Sequence, residues 1–451
     1  MRPLIFPTVD VKTRTLLTLV AVALLLSGCG IMDWFDKKKP PLPGERISVF
    51  QDRKEIEPDK DMAGVPVVLP APFVNESWPQ SGGFAGYAMQ HLAVSDSPKV
   101  VWTADIGAGS SSSRLLTTPP VVAMGRVFTK DAQSTVSAFE ADTGKLIWRV
   151  TLSPEKARDS DEFGGGLVFY GGRLFVTTGF ANVFSLDPND GKEIWRSSVS
   201  APVRGAPLAF EDRIFAITID NKLHAMAAVD GADLWIYAGL QEVVGYVDAG
   251  SPAGAGEFVV APFSSGELVS VRIDSGRQAW NESLLGQRRE SRAFGNLADI
   301  RGRPVIDRGL VFAMGSGGQI AAIDLRSGQR VWERSIGGNQ TPWVAGRFLF
   351  IVSSSADVAA LDRETGKVKW VTPLTQYEDE KHRKPVLWAG PVLAGDRLLI
   401  GGSTGDLVAV SPYTGEIMGR LEMHEPMRLA PVIADRTIYV LTASGRLIAL
   451  R

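Results

Sequence analysis

Cysteine is all but absent from these 451 residues: the chain has one, Cys29. An internal disulfide framework is therefore excluded. Histidine is nearly as scarce, and its four copies, His91, His224, His382 and His424, stand far apart with no second ligand at metal-binding spacing. That excludes a metal centre built from local sequence, though a ring could bring distant positions together at its axis. Net charge is −2, with Lys and Arg interspersed among Asp and Glu, so no basic stripe marks a nucleic-acid footprint. No glycine-rich phosphate loop opens a helix, because Gly164–Gly166 leads into a strand pattern. Nor can a nucleophile with its base and orienting group be assembled from the sequence.

Long apolar runs are missing as well, apart from Leu16–Leu26, which is too short for a permanent transmembrane helix. Lys12 and Arg14 precede it and Leu26-Ser27-Gly28-Cys29 closes it with small residues, the layout of a secretory signal. The closing tetrapeptide resembles the lipobox of bacterial lipoproteins, in which cleavage precedes the Cys and its thiol carries lipid. The resemblance implies a signal peptide over residues 1–28 and lipidation at Cys29; an ordinary secretory signal followed by a free thiol is the alternative. More than one acyl chain makes membrane contact stable. Gly30 follows the Cys, where lipoproteins retained in the inner membrane typically carry Asp. That implies a lipid-anchored protein of the outer membrane, on its periplasmic face. Residues 29–80 show no repeat, and Lys37–Gly44 and Gln51–Asp61 are proline-rich or charged, so this stretch is expected to be a lipidated, flexible tether. Asn75–Gly83 brings the chain to the rest of the protein.

What is present is a repeat. Glycine stands four residues before tryptophan in Gly144/Trp148, Gly191/Trp195, Gly231/Trp235, Gly276/Trp280, Gly328/Trp332 and Gly366/Trp370. In the cleanest copy, Gln319–Trp332, alternating small and β-branched residues form a strand. Arg326-Ser327-Gly328 then supplies turn chemistry, and Arg330-Val331-Trp332 resumes a strand. Another strand pair precedes each copy, as in Pro119–Phe128, Arg308–Ala313 and Gly395–Ile400, so one unit is four short antiparallel strands. A period of roughly 40 to 50 residues signals propeller blades or solenoid units.

The two ends of the repeat carry complementary defects. Val100–Ile106 reads as a tryptophan-bearing outer strand with no partners before it, whereas Arg428–Val440 and Gly445–Leu450 supply three strands with no fourth. Pairing them closes a ring and removes an exposed edge. Outer strands carrying Trp102, Trp148, Trp195, Trp235, Trp280, Trp332 and Trp370, plus a degenerate copy with Gly419 at the tryptophan position, give eight. The expected fold is therefore all-β, an eight-bladed β-propeller of four-stranded antiparallel blades over residues 81–451, within the usual range for propellers. The seven tryptophans are expected between blades, each burying on the order of 200 Å²; as a set spread round a ring they cannot face one ligand.

The repeat Ala-x-Asp-x-x-x-Gly-x-x-x-Trp, as in Ala322–Trp332 and Ala360–Trp370, resembles the repeats of the quinoprotein-like (PQQ-like) propellers. With the lipobox and the uninterrupted eightfold repeat, it resembles the BamB family of outer-membrane assembly lipoproteins. The resemblance implies a non-enzymatic scaffold with no cofactor and no metal. It implies binding to the periplasmic domains of the barrel-forming subunit of the assembly (BAM) complex, contact with unfolded outer-membrane proteins, and a membrane link through lipid. Family contacts lie on rim loops that correspond here to Leu240–Gly250 and Arg288–Arg303. This makes Val243, Val244, Tyr246, Val247, Asp299 and Arg301 the candidate partner-binding residues. Val247 stands where the family pattern has a basic residue and Arg301 where it has an acid. Read without the family, Val243, Val244, Tyr246 and Val247 place apolar side chains in a connection where a plain turn needs none, which marks either an interaction patch or a loop folded back as core.

Two other functions stay open. A PQQ-dependent dehydrogenase, or a subunit of one, needs carboxylate and amide ligands around calcium together with a catalytic Asp, and such enzymes commonly carry adjacent cysteines. Here the repeat Asp residues sit beside turn glycines, where Asp caps backbone N–H groups. The other is a periplasmic propeller that binds glycans or peptides at its axial funnel.

Overall fold

The computed structural model describes residues 56–152, 154, 164–240, 250–285, 299–379, 381 and 384–451. The chain divides into two units, 1–55 and 56–451, and the second is described here. Among the described residues are 32 strands, numbered β1–β32 in chain order, in eight four-stranded sheets. Blades 1 to 7 are built from consecutive strands, β2–β5 through β26–β29. Blade 8 joins β30 (Val432–Ala434), β31 (Thr437–Leu441) and β32 (Arg446–Leu450) to β1 (Val100–Asp105), with Trp102 opposite Ala449. The all-β, eight-bladed ring and its closure are as expected from the repeat.

Each blade is a row of cross-strand neighbours stepping outward. In blade 5, Phe312 pairs with Ala322 and Ala322 with Trp332; in blade 1 the row is Phe128, Ala138, Trp148. The small third-strand residue leaves room for the indole, whose ring lies 6.2 Å from Phe312 at a separation typical of attractive aromatic pairs. A register shift follows Ala322, and this bulge re-aims the outer strand. The turn before it needs Gly328 at φ 73°, a conformation glycine adopts without strain. Asp324 holds that turn: Arg326 N and Ser327 N donate to its Oδ1 at 3.1 and 2.8 Å. Hydrogen bonds from Ser327 therefore keep its carboxyl below the usual range.

Residues 56–93 correct one expectation. The flexible tether was expected to reach residue 80, yet from 56 onward the chain is bound to the ring. Asp59 N donates to Val368 O at 2.8 Å, and Val368 N returns a bond to Asp59 Oδ2 at 2.7 Å, on the outer strand of blade 6. The chain then enters the bore and visits the inner strand of every blade in turn. Asp435 N (blade 8) donates to Asn75 O, Val122 N (blade 1) to Trp78 O and Phe169 N (blade 2) to Pro79 O. The Gln80 amide exchanges two bonds with Ala209 of blade 3 at 3.0 and 3.1 Å. Gly254 N (blade 4) and Ile306 N (blade 5) donate to Ala85 O and Gly86 O. Trp343 Nε1 (blade 6) donates to Gln90 O, and Gly395 N (blade 7) to Leu92 O. One strap thus satisfies inner edges that would otherwise be open, and its Trp78, Tyr87, Met89 and Leu92 are buried at the axis.

Candidate partner interface

In an up-and-down blade the outer strand ends on the face where the next inner strand begins. All connections between blades therefore share one face, the opposite one from the turns that the strap crosses on its way to the axis. Thr117, Arg301, Gln340 and Arg428 stand in four of these connections and together line the axial funnel. Two adjoining cavities of about 110 and 170 Å³ lie there, walled also by Asn339 and Leu429. Arg303 secures the floor: it donates to Ser81 Oγ on the strap and its guanidinium lies 5.9 Å from the Tyr87 ring centre. The Tyr87 hydroxyl donates to Pro252 O at 2.8 Å, and burial pushes its pKa up to about 12.

Of the candidate contact residues, Val243, Val244, Tyr246 and Val247 lie outside the described residues, as does the candidate lipidation site Cys29. The described ends of the 241–249 connection are well held. Asn221 Nδ2 donates to Leu240 O at 2.7 Å, and a Cβ placed on Gly250 would lie 2.7 Å from Gly302 O and 3.1 Å from Ile300 O. The structure therefore brings the approach to blade 4 against the approach to blade 5, joining the two stretches that the sequence marked separately.

Asp299 needs a correction. It was expected as a partner-binding residue of a rim segment, but it is 0% exposed and paired at 2.5 Å with Arg204, itself 1% exposed. Its main-chain carbonyl also accepts from Ser316 N at 3.1 Å. Asp299 positions the face by tying the approach to blade 5 to the approach to blade 3. Its carboxylate is turned inward, away from any partner surface. Arg301, two residues on, is half-buried and does face the funnel.

Sequence reasoning missed the apolar points of this face. Leu115, Leu240, Leu285 and Leu387 are all exposed, and each lies in a connection between blades. The available signal was a leucine placed shortly after, or between, blade strands where no core position exists. Trp102, Trp148, Trp280, Trp332 and Trp370 are buried, Trp195 and Trp235 half-buried, and all seven sit between neighbouring blades.

Two constellations test an enzymatic reading. Ser200 Oγ lies 3.0 Å from His224 Nε2 and also donates to Asp220 at 3.0 Å. Here the serine bridges histidine and carboxylate, whereas a nucleophilic triad needs the histidine in the middle. Burial keeps the His224 imidazole below its ordinary pKa, partly offset by the Asp220 charge. Burial also opposes ionisation of Asp220, but hydrogen bonds from Lys222, Thr218 and Ser200 outweigh it and hold its carboxyl low. The axial lining contains arginines, amides and hydroxyls and no carboxylate, and among the described residues no group of three or more His, Cys, Asp or Glu is placed to hold a metal. That donor set does not fit a calcium–quinone site.

The fold defines an eight-bladed propeller with its own strap packed against the inner strands. The chain matches the sequence model of the family described as outer membrane protein assembly factor BamB over residues 88–158, 132–372 and 377–451, and it belongs to that family. It is 27% identical over 361 residues to the assembly factor BamB of Yersinia pestis, covering 78% of this chain and 88% of that one. To the Escherichia coli protein of the same name it is 26% identical over 354 residues, 77% and 87% of the two chains. Among solved structures, BamB from Moraxella catarrhalis superposes with TM-score 0.63 at 17% identity, over 79% of this chain and 98% of that one. The quinohemoprotein alcohol dehydrogenase of Comamonas testosteroni gives 0.65 at 13% identity, over 83% and 80%. Both show the shared fold. Among the described residues no helix is long and apolar enough to cross a membrane.

Proposed function

We propose that this chain is a non-catalytic scaffold of the outer-membrane β-barrel assembly complex. In this reading Cys29 tethers it by lipid to the periplasmic face of the outer membrane. The face carrying the inter-blade connections holds the periplasmic domains of the barrel-forming subunit and contacts unfolded outer-membrane proteins. Family membership across the propeller is the observation that carries it. The geometry supports it: a closed ring holds its loops rigid, so association loses little ordering entropy, and exposed Leu115, Leu240, Leu285 and Leu387 give the face apolar anchor points. In this reading Val243, Val244, Tyr246 and Val247 supply further contacts and Arg301 a charge, while the buried Asp299–Arg204 pair ties the approach to blade 5 to the approach to blade 3.

The test is site-specific photo-crosslinking in intact envelopes, with the probe at Leu240 or Arg301 and the adduct identified by mass spectrometry. Adducts to the periplasmic domains of the barrel-forming subunit are expected, and a probe at Met124, on the opposite face, should give none. Adducts from both faces alike, or none with that subunit, would overturn the reading. So would a bound chromophore with dye-linked alcohol oxidation after addition of pyrroloquinoline quinone and calcium.

A further inference from the structure

Seven of the eight seams between blades are closed in the same way. Trp102, Trp148, Trp195, Trp235, Trp280, Trp332 and Trp370 each donate Nε1–H to a main-chain carbonyl in the next blade: Ala141, Pro188, Ala228, Ile273, Leu325, Arg363 and Pro412. Each ring also lies against the turn glycine of that blade, Gly144 through Gly415, where an added Cβ would come within 2.7 Å of the indole. The eighth seam, between blades 7 and 8, differs on both sides. Gly419 occupies the tryptophan position, in the same register opposite Ala409 as Trp370 is opposite Ala360. In blade 8 no turn joins the third strand to the fourth, because Lys99 and Arg451 bridge that gap by exchanging main-chain hydrogen bonds at 2.9 Å. The seam therefore lacks both the tryptophan and the turn glycine that meet at the other seven.

What remains is an open groove of about 290 Å³ lined by Leu399, Leu407, Ala409, Met418 and Ile438, with Arg397 and Arg420 beside them. A Cβ on Gly419 would meet nothing within 4 Å. Leu399 and Ala409 form the row that in blades 1 and 5 is Phe128 with Ala138 and Phe312 with Ala322, so the floor is the one on which the other seams seat an indole. We propose that this groove receives a large aromatic side chain presented by a partner polypeptide, in the place that the chain's own tryptophan fills at the other seven seams. The seven filled seams specify the occupant: a flat ring that covers the apolar row, flanked by Arg397, whose guanidinium is held by the Gly395, Asp96 and Ser95 carbonyls, and by Arg420, 4.0 Å from the Asp406 carboxylate. Strand β29 (Ile417–Glu422) is exposed along its whole length, and its outer edge leaves room for an extended partner segment to deliver the ring. The proposal does not depend on the assembly role, since the groove lies on the circumference.

The test uses the full mature chain and two fluorescein-labelled pentapeptides, Thr-Val-Trp-Val-Thr and Thr-Val-Ala-Val-Thr, followed by fluorescence anisotropy. The tryptophan peptide should bind at least roughly tenfold more tightly than its alanine counterpart, the ratio set by about 1.4 kcal/mol. Gly419→Trp should fill the groove from within, raise the melting temperature and abolish that preference. Met418→Glu alters an exposed wall residue without touching the ring core and should weaken the tryptophan peptide selectively. Equal binding of the two peptides, or a preference that survives in folded Gly419→Trp and Met418→Glu, overturns the proposal.

Discussion

Trp148 Nε1 donates to Pro188 O at 2.9 Å across the seam between blades 1 and 2, and its ring fills the space where a side chain on Gly191 would have to go. The glycine and the tryptophan four residues apart in sequence are therefore not partners. Each pairs with its counterpart in the neighbouring blade, so the repeat encodes a chain of contacts that only a succession of blades can complete.

Trp148→Ala removes both the buried ring and the donor, and the expected loss of stability is on the order of 3–5 kcal/mol. Trp148→Phe keeps most of the apolar contact and should cost distinctly less. Denaturant unfolding of the two variants checks this; equal losses would mean that packing against Gly191 contributes little.

The repeat was legible because glycine at Gly328 and tryptophan at Trp332 each answer a requirement that few residue types meet. The strap was not. Its groups bind the blades through main-chain amides and single side chains such as Gln80 and Asn75, which leave no period, and a segment rich in proline and charge reads as solvated. Asp299 looked like a rim acid because its partner, Arg204, lies 95 positions away, a separation with no signature in one sequence. The register at the eighth seam was visible as Gly419; that the opposing turn is absent there emerges only when the ring is closed.

Where strap amides themselves donate to the blades, as Trp78 N does to Val122 O and Leu92 N to Leu393 O, they should exchange with deuterium as slowly as the blade cores. Site-resolved exchange at Trp78 and Leu92 should show protection similar to β3 (Arg126–Lys130), whereas strap residues that bind the blades only through their carbonyls carry no such expectation. Tyr87→Phe, which deprives Pro252 O of its donor, should lower stability by about 1–2 kcal/mol. Rapid exchange of the strap in the intact protein would contradict its place as an integral layer.

Asp299→Ala leaves the buried Arg204 guanidinium without the carboxylate 2.5 Å away. Losses for such single truncations run on the order of 3–5 kcal/mol. The double substitution Arg204→Met with Asp299→Leu should recover most of the loss, since paired apolar replacements avoid the cost of burying charge. If the double variant is as unstable as Asp299→Ala, the site depends on its charges for the local conformation as well as for stability.

His224 gives stability a pH dependence. Burial lowers its folded pKa below the ordinary 6.5, so the unfolded chain takes up a proton first as pH falls. Stability is then complete above about 6.5 and declines as pH drops from there toward the folded value. Melting temperatures measured from pH 8 to pH 5 should fall less steeply for His224→Gln than for the unaltered chain. An identical slope would place the acid sensitivity elsewhere.

The assembly reading makes its sharpest demand at the approaches to blades 4 and 5, which meet where Gly250 lies against Ile300 and Gly302. Val244→Asp with Tyr246→Ala removes apolar area next to exposed Leu240, and Arg301→Glu reverses a charge at the funnel mouth. Interfaces concentrate their energy in a few such residues, so the combined variant should reduce co-purification with the barrel-forming subunit at least roughly tenfold, corresponding to about 1.4 kcal/mol. Its melting temperature should stay close to that of the unaltered chain if the combined variant acts on the interface and not on the fold; Arg301 itself lies between β17 and β18. Retained co-purification with an intact fold would remove this face from the interface and leave the circumference of the ring as the surface to examine.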